Sequence, residues 1–542
     1  MEKTLLPVVV LLSLMACPVP VVEDPPLPIP DMNGPTSAQV DGGADAGTPG
    51  PAAVEWRPCP LKTGSTGGTM AECAVLRTPL EASNPSGPTI EYFVKRYRPP
   101  NGRGLRAMWM LQGGPGASGL VFEGLSEQFG TRFPDVDYYF PDHRGTGRST
   151  RLSCPMQESQ TSEAGLYITA AEWPACLAAV QASEGARLAA FNMTNAANDV
   201  GVAIAATREA GQPVFVYGVS YGTSLALRYL QLYPSQADGV VLDSIAPPGI
   251  SLYRQDEDAN EAARDYFAAC SANAVCGAKL GPAAWDKAEA LFTKLKAGHC
   301  PEIAVPGIPT HVLLRRAFGG FLMDPSLRAY IAPIVYRADR CNAADVDALS
   351  VLMNQLTQEP AMPPDEHRLW GWVLSQNILH SEFAETPRPT AAQLSAMREP
   401  LVASRDVTEG FEPTLNWPVY PADRFTGQWP EPQTPIVMLQ GGLDPATILR
   451  KARAAKERLN RPGQTWVEIP SATHTVVASS PYVNAVGERR SCGTAVMMSF
   501  LENPGVPPDT SCVSRVEPIS WALPNGNLTL ALFGRRNAWE ER

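Results

Sequence analysis

The sequence predicts an α/β fold with a mostly parallel sheet, interrupted by a helical insertion. Three observations lead there. Six short apolar runs end in Gly, Pro or Asp turns and alternate with helical stretches. The strand signals stop at about residue 247 and resume near 433, and the interval reads as helix. One run, "VFVYGVSYGTSLALRY" (214–229), passes from β-branched and aromatic residues through Gly-Val-Ser-Tyr-Gly into helical periodicity.

In chain order, the N-terminus "MEKTLLPVVVLLSLMACPVP" puts one lysine before an apolar run too short to span a bilayer but suited to a signal peptide. Its "LMAC" resembles a bacterial lipobox, which makes residues 1–17 a lipoprotein-type signal and Cys17 the lipidated residue. Residues 18–55 are rich in Pro, Gly, Ala and Asp and read as a linker, since such a stretch cannot bury enough apolar surface to offset its ordering entropy. A first part of the sheet unit is expected over 56–246, a helical insertion over 247–432, and the second part with a C-terminal extension over 433–542.

Composition narrows the function classes. The 542 residues are 44% hydrophobic and carry a net charge of -11 without a basic run, so nucleic acid is not an expected partner. Setting Cys17 aside, ten of the 11 cysteines remain, an even number in an exported chain, which favours disulfides. Proximity suggests Cys59 with Cys73, Cys154 with Cys176, Cys270 with Cys276, Cys300 with Cys341 and Cys492 with Cys512. The six histidines form no H-x-x-x-H pair and the cysteines no paired C-x-x-C set, so neither a metal nor another cofactor is expected.

The strand runs are "AMWMLQGGPG" (107–116), "VDYYFPDHRG" (136–145), "PVFVYGVS" (213–220), "GVVLDSI" (239–245), "TPIVMLQGGLD" (434–444) and "TWVEIP" (465–470). Functional groups of open α/β sheets gather at the carboxyl ends of strands. Ser220 lies there, between two glycines that relieve the crowding of a tight strand-to-helix turn, which is the arrangement that exposes a nucleophile. Downstream, Asp444 follows one strand and His474 the next, which supplies the Ser, acid, His order of such hydrolases. Asp243 is the rival acid. His143 and His380 read as structural, and only His474 both follows the serine and ends a strand. The oxyanion of an acyl-transfer intermediate needs preorganised N–H donors. Tyr221 supplies one, and the bare backbone of "LQGGPGASG" the other, at Gly114 or the neighbouring Gly113.

Taken in order, "GGPGASG", "DHRGTGRS", "GVSYGTSLALRY", "GGLDP" and "ATH" resemble the α/β-hydrolase peptidases that include prolyl aminopeptidases and secreted tripeptidyl aminopeptidases, over about residues 56–512. The resemblance implies an eight-stranded α/β-hydrolase core with a helical cap. It also implies release of N-terminal residues, as proline, di- or tripeptide units, from peptides with a free N-terminus. It places Ser220, Asp444 and His474 on the triad and Gly114 and Tyr221 on the oxyanion hole. Such enzymes hold the substrate ammonium with cap carboxylates, since an unpaired buried cation is costly. Glu382 is the first choice here, ahead of Asp256, Glu257 and Asp258. An exported carboxylesterase with the same triad is the alternative, and an inactive lipid-anchored binding protein a further one.

Overall fold

The structure is a computed structural model, and it describes residues 54–99, 102–159, 161–162, 167–358, 369–523 and 526–540. Cys17 and nearly all of the 18–55 segment lie outside the described residues. Nine strands form the main sheet: β1 (Arg57–Pro60), β2 (Met70–Pro79), β3 (Thr89–Tyr97), β4 (Arg106–Leu111), β5 (Val136–Pro141), β6 (Val214–Val219), β7 (Gly239–Asp243), β8 (Ile436–Gly441) and β9 (Gln464–Ile469). Their order is β1-β2-β3-β5-β4-β6-β7-β8-β9. The pairs from β5 through β4 to β9 are parallel, whereas β1, β2 and β3 run antiparallel at one edge. The sheet thus has one strand more than the expected eight. The Cys59–Cys73 disulfide ties the short β1 to β2.

Both faces of the central strands are covered, which is why they read as unbroken apolar runs rather than alternating ones. In β6, Val214 and Val216 enter the core on one face, while Phe215, Tyr217 and Val219 enter the core on the other. All five proximity pairs of cysteines are disulfide-bonded.

Between β7 and β8 the described elements are all helical, from Leu252–Arg254 to Glu409–Thr414. Part of this segment builds a core of its own around Phe267, Leu291, Phe318 and Leu349. The chain end joins that core rather than the sheet. Trp521, Leu523, Phe533 and Trp539 are buried in it, and Arg337 donates from Nε to the Ala538 carbonyl (2.6 Å). From Ile519 on the extension packs against the insertion, whereas Val513 and Val516 still lie against the sheet-side core of residues 433–512. Among the described residues, no helix is long and apolar enough to cross a membrane.

Candidate active site

At the end of β6, Ser220 takes φ 57° and ψ −126°, and the helix Tyr221–Leu232 begins at once. This left-handed turn forces the flanking backbone close. A Cβ on Gly218 would lie 2.3 Å from the Gly222 carbonyl oxygen, and one on Gly222 only 2.2 Å from that of Leu111. Glycine is required at both places by contact rather than by conformation. The turn is stitched to its neighbour, because Ser220 N–H donates to the Asp243 carbonyl (2.9 Å) and the Ser220 carbonyl accepts from both N–H and Oγ1 of Thr223. Serine Oγ makes no hydrogen bond among the described residues and faces a cavity of about 1100 Å³.

Asp444 sits in the turn after β8. Its Oδ1 accepts the N–H groups of Ala446 (2.8 Å) and Thr447 (2.9 Å), and its Oδ2 accepts Thr447 Oγ1 (2.8 Å). His474 Nδ1 lies 3.0 and 2.9 Å from the two oxygens, so Nδ1 carries the proton and Nε2 is left free to take one. Burial works to raise the Asp444 carboxyl, but His474 and the Thr447 hydrogen bonds outweigh it and hold it below the usual carboxylate range. His474 lines the same cavity as Ser220. Among the described residues no hydrogen bond joins the two side chains, and in unliganded hydrolases such contacts are often long until substrate arrives.

Asp243, the rival acid, does something else. Its two oxygens accept Val476 N–H (2.7 Å) and Val477 N–H (3.0 Å), with Tyr217 Oη (2.8 Å) and Ser244 Oγ (3.1 Å) as further donors. It therefore pins the segment just after His474. Ser244 Oγ adds a bond from Thr475 N–H (2.7 Å).

The "GGPG" loop after β4 forms the opposite wall. Gly113 N–H donates to its neighbour's Gln112 Oε1 (2.6 Å), while the N–H groups of Gly114 and Tyr221 have no acceptor among the described residues. Tyr221 opens its helix, so its N–H has no intrahelical partner. The "DHRGTGRS" motif is scaffold. Asp142 accepts Gly119 N–H (2.9 Å) and Arg148 N–H (2.7 Å), and Arg144 is bonded in full burial to Asp199 (2.6 and 2.7 Å). His143 Nδ1 donates to the Arg144 carbonyl and Nε2 accepts Tyr221 Oη (3.0 Å), so burial holds the ring neutral with a pKa lowered to about 4.

The helical insertion closes the site from both sides. Gly371 N–H bonds the Gly116 carbonyl (2.8 Å) on the "GGPG" loop, and Thr473 Oγ1 bonds the Met323 carbonyl (2.8 Å) beside His474.

Glu382 does not reach the cavity. Its carboxylate is buried against Arg228 (3.2 Å) and accepts Tyr420 Oη (3.2 Å), so the expected substrate contact is replaced by an internal ion pair. Asp256 is likewise consumed by the N–H groups of Val407 and Thr408, Glu257 by Arg254 and Asp258 by Lys451. The acids lining the cavity are Asp324, Asp406 and Glu409. Asp406 holds Arg315 and Arg316, and Glu409 holds Arg316, which leaves Asp324 as the lining carboxylate with no ion pair among the described residues. Sequence reading passed over Asp324. Its signal was weak, an acid in a "MDPS" turn whose Oδ1 accepts Ser326 N–H (2.6 Å).

His380 is a satisfied core histidine, between Tyr253 Oη (2.6 Å) and Thr414 Oγ1 (2.9 Å). Burial, aided by the Arg388 charge, lowers its pKa to about 3. Between that value and about 6.5 the unfolded chain binds a proton that the folded chain refuses, so acidification through this window destabilises the protein by about 1.4 kcal/mol per pH unit. His380→Gln should flatten the fall of Tm between pH 7 and pH 4.5; an unchanged slope would assign the acid lability to other groups.

Among the described residues, the metal-ligating types come together at Cys300, Glu302 and Cys341, but the two cysteines are disulfide-bonded and none of the three lines the cavity.

Residues 107–274 match the family model described as alpha/beta hydrolase fold, and residues 400–512 match the one described as TAP-like protein. The chain has the α/β-hydrolase fold. The two matched stretches hold the serine turn and the Asp444–His474 pair respectively. Serine protease Hip1 of Mycobacterium tuberculosis is 26% identical over 255 residues, which is 42% of this chain and 47% of that protein. Tripeptidyl aminopeptidase of Streptomyces lividans is 27% identical over 217 residues, or 36% and 39% of the two chains. The match thus spans less than half the length of these curated relatives. Among solved structures, a proline iminopeptidase-related protein of Thermus thermophilus aligns over 75% of this chain and 91% of its own, at 17% identity and a TM-score of 0.30. An esterase of Exiguobacterium antarcticum aligns over 71% and 89%, at 15% identity and a TM-score of 0.29.

Proposed function

We propose that this α/β-hydrolase is an exported serine peptidase that releases N-terminal residues from peptides through an acyl-enzyme on Ser220. The observation that carries the reading is the Asp444–His474 pair, seated at two strand ends, with His474 facing the same cavity as a serine at positive φ. His474 Nε2 takes the Ser220 proton as Oγ attacks the peptide carbonyl. The N–H groups of Gly114 and Tyr221 receive the oxyanion, a contribution of a few kcal/mol per donor in such sites. His474 then returns the proton to the leaving amine, and water repeats the sequence to free the acid. Asp444 fixes the tautomer and stabilises the imidazolium.

Recognition of a free N-terminus needs an anion that no internal cation has claimed, and Asp324 meets that condition on the cavity wall. Asp324→Asn keeps an oxygen for the Ser326 N–H and should raise KM for free-amine peptides about tenfold, with acetylated peptides and Tm unaffected. An equal loss on acetylated peptides would remove Asp324 from amine recognition. The reading as a whole is tested by a panel of chromogenic peptides with free and acetylated N-termini beside a short-chain ester. Cleavage that requires the free amine supports it, and ester turnover without peptide cleavage rejects it in favour of a carboxylesterase. Five disulfides suit an oxidising compartment. In this reading Cys17 is the point of lipid attachment, and residues 247–432 form the cap over the site.

A further inference from the structure

Among the described residues, Arg405 is the one guanidinium on the cavity wall that holds no carboxylate while one of its nitrogens is shut off from solvent. Of the other lining cations, Arg316, Arg489 and Arg490 hold Glu409, Glu517 and Glu488, and Lys62 and Arg132 stand exposed to solvent. Arg405 makes a single hydrogen bond among the described residues, a long 3.9 Å contact from Nη1 to Met323 Sδ. Its Nε is closed off from solvent with no acceptor among the described residues.

The carboxylates that would ordinarily neutralise it are engaged elsewhere. Asp256 accepts the N–H groups of Val407 and Thr408 (3.0 Å each), Asp406 is held by Arg315 and Arg316, and Asp444 is filled by Ala446, Thr447 and His474. None of the three lies within ion-pair distance of Arg405. Burial lowers the Arg405 pKa while Asp256 and Asp444 work to raise it, so the cation is strained by desolvation and only partly offset by distant charge. A guanidinium offers five donors in a fork matched to a carboxylate. Leaving the shut-off Nε–H of this half-buried guanidinium unmet is costly unless a ligand fills it.

We infer that Arg405 is a substrate-binding residue that takes a carboxylate of the peptide, making the site selective for anionic peptides. The inference rests on the peptidase reading above for its ligand class. Two sources supply the same chemistry, an Asp or Glu side chain or the C-terminus of a short peptide, and both reach the cavity as part of the chain whose carbonyl is attacked at Ser220.

The test uses the full chain and alanine peptides of three to five residues, each made with a free or amidated C-terminus, and again with one Glu or one Gln. In the wild type, a carboxylate-bearing peptide should show a kcat/KM roughly ten- to a hundredfold above its neutral counterpart, the span expected for a charged hydrogen bond. Arg405→Gln should erase that preference through KM, with neutral peptides changed less than threefold, and Arg405→Lys should restore part of it. A preference confined to free C-termini assigns the peptide end, and one confined to Glu over Gln assigns the side chain. No preference in the wild type, or an equal loss on neutral and anionic peptides in Arg405→Gln, overturns the inference. Calorimetric binding of the same peptides to Ser220→Ala needs neither turnover nor a change at Arg405. There, tighter binding of the anionic member supports the inference even if no peptide is cleaved, a result that would count against the peptidase reading alone. Equal binding of both members rejects the inference even where wild-type cleavage upholds the peptidase reading.

Discussion

Ser220→Ala should remove peptide turnover by on the order of 10⁶-fold while leaving the fold intact. The large loss follows from chemistry, because an alanine methyl has no electron pair to attack a carbonyl and the acyl-enzyme route closes. What remains is the binding and oxyanion contribution of the site, worth about 10³–10⁴ over the uncatalysed reaction in comparable enzymes. The intact fold follows from the hydrogen bonds. Ser220 contributes its backbone N–H to Asp243 and its carbonyl to Thr223, whereas Oγ holds nothing among the described residues. Alanine inherits the same positive φ with the same Cβ, so the strain of the turn is unchanged. Tm of the variant should fall within about 2 °C of the wild type, and labelling by a serine-directed phosphonate should vanish. A folded variant that still cleaves at an undiminished rate would place the nucleophile elsewhere.

Much of this site was legible because its signals are local. A strand running into Gly-x-Ser-x-Gly and then a helix states its own geometry, and Asp444 and His474 each follow a strand by a few residues. The bare glycine backbone of "LQGGPGASG" pointed to the oxyanion loop in the same local way. What sequence could not disclose is the fate of a carboxylate whose partner is far away along the chain. Glu382 was the favoured ammonium ligand, yet its charge is spent on Arg228, 154 positions distant, and on Tyr420. Asp324 is the converse case, an acid with no ion pair among the described residues, which its local sequence does not reveal either. The tail behaves similarly. Trp521, Phe533 and Trp539 announce burial, but nothing in their spacing tells that the surface they cover belongs to the helical insertion rather than to the sheet. Strands β2 and β3 were passed over although "TIEYFVKRY" carries the β-branched and aromatic residues of a strand. They lie on the antiparallel edge side, outside the alternation of strand and helix that drew attention to the rest.

The two acids near His474 give the sharpest division of labour, and exchanging each for its amide should separate them. Asp444→Asn preserves an acceptor for the Ala446 and Thr447 N–H groups, so Tm should change little. The amide can, however, turn its NH₂ toward Nδ1, which moves the imidazole proton to Nε2 and leaves no base facing Ser220. A kcat loss of about 10³–10⁴-fold is expected, the size found when a triad carboxylate is neutralised without moving it. In Asp243→Asn the balance reverses. That carboxylate accepts from Val476 N–H, Val477 N–H, Tyr217 Oη and Ser244 Oγ, and an amide has one oxygen for four donors. At least one buried donor is left facing an NH₂ group, at roughly 1–3 kcal/mol for each unmet group. Burial raises the Asp243 carboxyl, and the hydrogen bonds from Val477, Tyr217 and Val476 work against that rise. Thermal unfolding should therefore expose Asp243→Asn as the destabilised variant, with activity falling only as far as the His474 loop loosens. Should kinetics and melting instead show Asp243→Asn stable but inactive and Asp444→Asn active, the orienting acid is Asp243, and the Asp444–His474 contact is a bystander to catalysis.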